Sequence, residues 1–438
     1  MKRSHSFIFK FLNFYIVAMS VATSAFAAHV KTDRTWYLAG EPMMISITND
    51  DALIAYAELS DTQGLAAGVV VGLDDGQGTA LMELPPSLHS GYYVLSVYTR
   101  HEAQVYQQLV AVVNPLHKSV DDDIEWVLGD SCWVEQAGVK EVLEVNDVNE
   151  NSNHKLQTSN FKLQTRETEG HIVRARVRNV SDGQTFSASQ IHPSLSIVGK
   201  QIHYFDGQMV NDTLAVFYTF GIHGKQPLVL SARSSTGVSL PIEMISPFDA
   251  LLPQQLPHLV FHYKRSEVEA RSLDMQRHQI AITPAKREVK LGDHSDDTAE
   301  DGVPMDYNPS VYGTLPDMSY NLDEYRQFLT VREVLLEYVS FVSKRKIDGV
   351  THLFVRKELD SYITFMPTLV LIDGMPVFDV ERLLNYDARR IHYINIYGSQ
   401  YKFGNGIYNG ILSFVTRSGR LTNYPTEPNV QYLVYEFP

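Results

Sequence analysis

The sequence predicts a mainly β chain that closes on an α+β domain: two β-sandwiches, then a helix packed on a mixed sheet. Three observations predict it. Short alternating apolar and polar runs, separated by Gly, Asp and Ser turn residues, recur through the first 247 residues. Tyr and Phe, which suit half-buried strands, number 24 and 20. After residue 320 the period changes, first to helical spacing and then to four apolar strands. At about 100–200 residues per domain, the 438 residues accommodate three such units.

The first 27 residues read as a signal peptide. Lys2, Arg3 and Lys10 supply a positive region, an apolar run covers 14–19, and Ala25-Phe26-Ala27 fits the small-x-small cleavage pattern. Cleavage is expected after Ala27. The apolar run falls short of the roughly 20 residues that span a bilayer, and the cleavage site has no Cys, which argues against a lipid anchor. No later segment reads as a transmembrane helix. The expectation is an exported protein, periplasmic or associated with the outer membrane. Cleavage takes the net charge from −14 to −17, since 1–27 holds three basic and no acidic residues. An acidic surface argues against nucleic acid as a partner. Cys132 is the only cysteine, so no intrachain disulfide and no Cys-cluster metal site is available, and burial is its expected role.

Residues 28–116 form the first predicted sandwich. In "EPMMISITN", Met43, Ile45 and Ile47 face one way and Met44, Ser46 and Thr48 the other. In "GYYVLSVYTR", Tyr93, Leu95 and Val97 oppose Tyr92, Val94, Ser96 and Tyr98, and "QQLVAVVNP" is a nearly continuous apolar strand. Residues 117–160 are acidic and read as a linker with one packed patch around Trp126 and Trp133. The second sandwich covers 161–247, through "HIVRARVRN", "SLSIVG", "TLAVFYTFG" and "QPLVLSAR". Residues 248–320 read as a connector that adds an edge strand or two; within it, the acidic 292–302 lacks the spacing of an EF-hand.

The third unit is 321–420, with 421–438 as a C-terminal tail. Phe328, Val331, Leu335, Tyr338 or Val339, and Val342 keep helical spacing. Thr330 followed by Glu333 is a capping box, which starts the helix there. Lys344, Arg345 and Lys346 then fall near its C-terminus, where they complement the dipole. Four strands follow: "THLFVRK", "TLVLIDG", "IHYINIYG" and "GILSFVTRSG". Asp373-Gly374 suits a hairpin turn with positive φ, Asp379 suits the N-cap of a short helix, and Gly398, Gly404, Gly406 and Gly410 suit a sharp chain reversal.

This last unit resembles the plug domain of TonB-dependent outer-membrane receptors. The match lies in a strand ending in Ile372-Asp373-Gly374, then Pro376-Val377, the helix start at Asp379, a strand ending in Tyr397-Gly398-Ser399, and a glycine before Ile411-Leu412-Ser413-Phe414. The opening "VKTDRTWYLAGEPMMISI" with "SLHSGYYVLSVYTR" resembles a macroglobulin-like sandwich of the MG2 type. The combination, without a β-barrel, resembles a group of exported Bacteroidetes proteins. It departs from the receptors in having no barrel, no TonB box near the mature N-terminus, and a longer aromatic loop, "SQYKFGNGIYNG". The receptors' ligand and TonB contacts are therefore not carried over.

The sequence contains no GxSxG elbow, no HExxH helix and no P-loop. It singles out no catalytic residue, no metal ligand and no cofactor. Tyr397, Tyr401, Phe403 and Tyr408 surround the glycine loop, and flexible Tyr-rich loops make contact surfaces at low entropic cost; the competing reading is that they line the sheet. The expected function is a non-enzymatic envelope scaffold that docks through the plug-like domain to an outer-membrane barrel or surface protein. The alternatives are a detached gating component of an outer-membrane transport system and a hydrolase rich in accessory domains.

Overall fold

The computed structural model describes residues 29–49, 52–100, 105–135, 167, 170–282 without 182 and 200, 308–356 without 312 and 348, and 368–438 without 404, 405, 420, 422, 423, 425, 426 and 428. The signal peptide, the acidic 292–302 and Gly404 lie outside the described residues. The protein is mainly β, and its chain contacts divide into two units: 1–169 with 248–284 and 438, and 170–247 with 285–437.

Unit 1 holds the first sandwich. One sheet pairs His29–Thr32, Pro42–Thr48 and Gln77–Glu83 in that order. The other runs Trp36–Leu38, Val105–Val113, Gly91–Tyr98, Ile54–Ser60 and Leu65–Gly72. The alternation predicted for Pro42–Thr48 holds: Met43, Ile45 and Ile47 enter the core with Tyr93, Leu95, Val97, Val110 and Val112, while Met44 is exposed. Gly91–Tyr98 is buried on both faces. The outer side of its sheet carries Trp36, Leu38, Tyr92, Ala111 and Val113, which bury Leu259 and Phe261 of the strand Leu259–Tyr263 and Val268 and Met275 of helix α1, Arg265–Ile282. Arg271 fixes this helix. Its guanidinium lies 3.8 Å from the centroid of the Trp36 ring and makes two 2.7 Å bonds to the Glu41 carboxylate, the bidentate geometry that arginine favours.

Two expected linkers are therefore structured in part. Ile124–Leu128 and Trp133–Val134, in the stretch read as an acidic linker, flank Leu259–Tyr263 as a three-stranded sheet. The Trp126 ring meets Phe261 and Tyr263 edge-on, and Trp133 stacks on His262 at 3.9 Å. The first part of the stretch read as a connector returns to the first sandwich instead of leading away from it. Phe248 covers Gly68, where a Cβ would meet its ring at 2.6 Å. The buried Glu58 carboxylate accepts the N–H groups of Ala250 and Leu251. Apolar residues on the outer sheet face require such cover. Cys132 is only partly buried, and its sulfur accepts the Lys264 N–H at 3.4 Å.

Unit 2 holds the second sandwich and the α+β domain. The sandwich packs a sheet of Gln208–Met209, Leu214–Thr219, His171–Val177 and Ile242–Met244 on a sheet of His203–Asp206, Ile191–Ile197 and Gly224–Ser234. The expected C-terminal tail is its last strand. Gln431–Phe437 pairs antiparallel with Gly224–Ser234 from Gln431↔Leu230 to Phe437↔Gly224. Tyr435 and Phe437 enter the sandwich core with Phe217 and Leu230, and Tyr435 OH bonds His171 Nε2 at 2.6 Å. An alternating "QYLVYEF" at a chain end still satisfies strand periodicity.

In the α+β domain, Met318–Asn321, Ile391–Phe403, Gly406–Thr416, Leu369–Ile372 and Met375–Pro376 form one mixed sheet. Helices α2 (Val331–Glu337) and α3 (Val380–Leu384) pack on it through Val331, Val334, Leu383 and Leu384. The same core includes Val198 and Val229 of the second sandwich, so the two parts of unit 2 are continuous. Helix α2 starts where expected, with both halves of the Thr330–Glu333 capping box in place. It ends earlier than expected, and Val342–Ile347 is a strand paired with Val350–Val355. Lys344, Arg345 and Lys346 thus lie on an exposed strand rather than at a helix C-terminus. The physical reason is local: β-branched residues at 339 and 342 weaken the helix, and Asp348-Gly349 is a two-residue hairpin signal.

Candidate functional site

The predicted turn residues sit at opposite ends of the mixed sheet, Asp373-Gly374 beside the end of Gly406–Thr416 and Gly406 at its start. Asp373 and Gly374 have φ of +45° and +83° and link Leu369–Ile372 to Met375–Pro376 as a two-residue hairpin, the geometry expected for Asp-Gly. A Cβ on Gly374 would lie 2.5 Å from the carbonyl oxygen of Ile197, so only glycine fits beside the sandwich strand. The Asp373 carboxylate has a second role that the sequence did not signal. It is buried and accepts the Thr416 N–H at 2.7 Å, the Thr416 hydroxyl, and the Leu421 N–H at 2.9 Å. Asp379 caps α3 as expected, accepting the N–H groups of Glu381 and Arg382.

The aromatic loop is a long hairpin. Ile391–Phe403 and Gly406–Thr416 stay paired to Phe403↔Gly406, with two irregularities, one between Ile391 and Tyr393 and one between Tyr397 and Gln400. Gly398 lies in that bulge and Gly410 faces it at φ +84°, where a Cβ would approach the Tyr397 carbonyl oxygen to 2.7 Å. The extra residue on the first strand is absorbed opposite the one residue that tolerates a left-handed backbone. Gly406 opens the second strand.

The four proposed contact residues do not form an exposed surface. Tyr397 and Phe403 are buried with Tyr204, Leu369, Leu371 and Ile411, and Tyr401 and Tyr408 pack against that cluster. The Tyr204 ring meets Phe403 edge-on at 5.4 Å. Asp206 accepts hydrogen bonds from the hydroxyls of Tyr204 at 2.8 Å and Tyr408 at 3.2 Å. Burial and the nearby Asp206 carboxylate hold the Tyr204 and Tyr408 hydroxyls well above the usual phenol range, so both stay neutral donors. Aromatic rings on a paired sheet gain more from a neighbouring apolar face than from water, and the sandwich strand His203–Asp206 supplies that face.

A different face of the domain is exposed. Around α2, the Tyr325 and Tyr338 rings meet at a tilt, 4.6 Å apart, Phe328 lies 5.4 Å from Tyr338, and the three rings line a shallow hollow with Leu322 and Arg326. Leu329 and Leu336, 64% and 80% exposed, flank these rings in sequence. The exposed strand that follows carries Lys344, Arg345 and Lys346 and ends in exposed Ile347. Residues 321–420 carry 13 Lys and Arg against 11 Asp and Glu, in a chain of net charge −14. These neighbouring segments are both apolar and relatively basic. Sequence reasoning missed this combination because Leu336 sits within a helical pattern and its basic neighbours read as dipole partners.

Among the described residues no three His, Cys, Asp or Glu side chains converge as a metal site, and no helix is long and apolar enough to cross a membrane. No family model matches the chain, and no curated protein matches it. Solved structures overlap with it at low similarity. The BSP domain of a biofilm-associated protein is 9% identical with a TM-score of 0.17, over 54% of this chain and 30% of that one. Alpha-2-macroglobulin of Escherichia coli, activated by porcine elastase, is 12% identical with a TM-score of 0.19, over 51% and 20%. The SafA pilin of Salmonella enterica in complex with the SafB chaperone is 10% identical with a TM-score of 0.16, over 51% and 99%. The chain spans less than a third of the first two.

Proposed function

We propose that the protein is a non-enzymatic scaffold of the cell envelope, exported by its N-terminal signal. Its plug-like domain docks to the acidic face of an outer-membrane barrel or surface protein. The first sandwich is read as macroglobulin-like, and the two sandwiches act as spacers that present the docking domain. The observation that carries the proposal is the set of exposed groups around α2: Tyr325, Leu329 and Leu336, followed in the chain by Lys344, Arg345 and Lys346. Exposed apolar groups rimmed by charge are the usual composition of a protein contact. The excess of positive charge in this domain, against an acidic chain, selects an acidic partner by complementarity. The core shared with the second sandwich favours docking as a fixed module over a plug that moves through a pore.

Crosslinking in intact cells tests the proposal, with a photoreactive residue at Leu336 and mass spectrometry of the adduct. The expected result is one dominant envelope protein, with the adduct lost when Lys344, Arg345 and Lys346 are changed together to Glu and reduced by high salt. An adduct that survives the charge reversal, or no adduct with folded protein present, would remove the α2 face as the docking surface.

A further inference from the structure

Away from the docking face, the second sandwich carries a cleft of about 630 Å³, within the range of about 300–1,000 Å³ typical of ligand sites. It opens where the end of His171–Val177, the strand Ile242–Met244 and the segment 429–431 meet, all in unit 2. Its lining mixes the polar Arg176, Arg178, Asn179, Glu243, Asn429 and Gln431 with the apolar Val177, Pro241, Ile242 and Val430. Arg176 and Arg178 are exposed and two positions apart along an extended strand, which places both on one face about 7 Å apart. Arg176 stands across from Glu243 in the register. Even so, among the described residues neither guanidinium is engaged in an ion pair or a hydrogen bond. In a chain of net charge −14, two exposed arginines against the single carboxylate of Glu243 give this cleft a local excess of positive charge.

We propose that this cleft binds an acidic saccharide. Arg176 and Arg178 would hold a uronate carboxylate, for which the planar guanidinium fork is well matched. The hydroxyls call for groups that both donate and accept, and the rest of the lining supplies them. Gln431 Oε1 already accepts the Met244 N–H, which leaves its amide N–H groups as donors. Asn429 Nδ2 is committed to the Ser239 carbonyl, which leaves its oxygen as an acceptor. Glu243 adds acceptors only. An acidic peptide would also satisfy the arginines and is the competing ligand in the test below. The inference goes beyond the docking proposal and does not depend on it.

Titration calorimetry of the full mature chain with a galacturonate trimer tests it, against a neutral galactose trimer and triglutamate. The expected result is binding of the galacturonate trimer, at least about tenfold tighter than triglutamate, with no binding of the neutral trimer. R176Q/R178Q should weaken binding by about tenfold or more, since two charge-assisted hydrogen-bonding groups are lost. Thermal unfolding should be unchanged, because both side chains are exposed, and the single R178Q should give an intermediate loss. The proposal is overturned if the galacturonate trimer does not bind, if R176Q/R178Q binds it equally well, or if triglutamate binds as tightly.

Discussion

At Asp373 one side chain serves two purposes. The backbone takes a φ of +45°, which Asp and Asn tolerate better than most residues. The carboxylate meanwhile holds Thr416 and Leu421 to the turn from inside the core. D373N separates the two, since Asn keeps the turn but loses the charge and one acceptor. It should cost about 2–3 kcal/mol, the loss of a charge-assisted bond plus a buried donor left unpaired. Hydrogen exchange should show the effect as faster exchange of the amides of 411–421, and unchanged protection there would mean the carboxylate is not the latch. The turn was legible in the sequence because Asp-Gly constrains its own backbone. The latch was not, because its partners lie 43 and 48 residues further on.

Among the elements, Gln431–Phe437 departs most from expectation. It closes a sandwich whose other strands end at Met244, after the chain has gone on to form the whole α+β domain. Tyr435→Ala would open a cavity beside Phe217 and remove the bond to His171. A loss of about 3–5 kcal/mol is expected for an aromatic truncated in a core. All three tryptophans belong to unit 1, so their fluorescence reports that unit alone. The variant should lower the denaturation midpoint seen by circular dichroism and leave the fluorescence midpoint unchanged. Helix α2 shows the complementary case. Its start was legible because a capping box is a local hydrogen-bond pattern, whereas its end was set by a strand pairing that competes for the same residues.

Over the whole molecule, the chain does not run as beads in sequence order. It builds the first sandwich, then the second, returns to the first for 248–282, and returns to the second for its final strand. Residues 321–420, which read as a domain, share their core with Val198 and Val229 and seat their Asp-Gly turn against Ile197. A fragment of 321–420 alone should expose that apolar surface and show no cooperative thermal transition, checked by calorimetry and by the dispersion of its amide spectrum. A sharp transition would establish it as an independent domain.

The sequence by itself determined the local features: strands from their alternation, the Asp373-Gly374 turn, the caps at Thr330 and Asp379, and a mainly β composition. Each follows from interactions within a few residues, or from a period that any apolar surface imposes. Only the tertiary structure decided which sheet face is covered, where the final strand belongs, and which aromatics meet water. Tyr397, Phe403 and Leu336 show why. Their types and spacing allow either burial or exposure, and the choice rests on whether another segment, distant in the chain, supplies an apolar face against them.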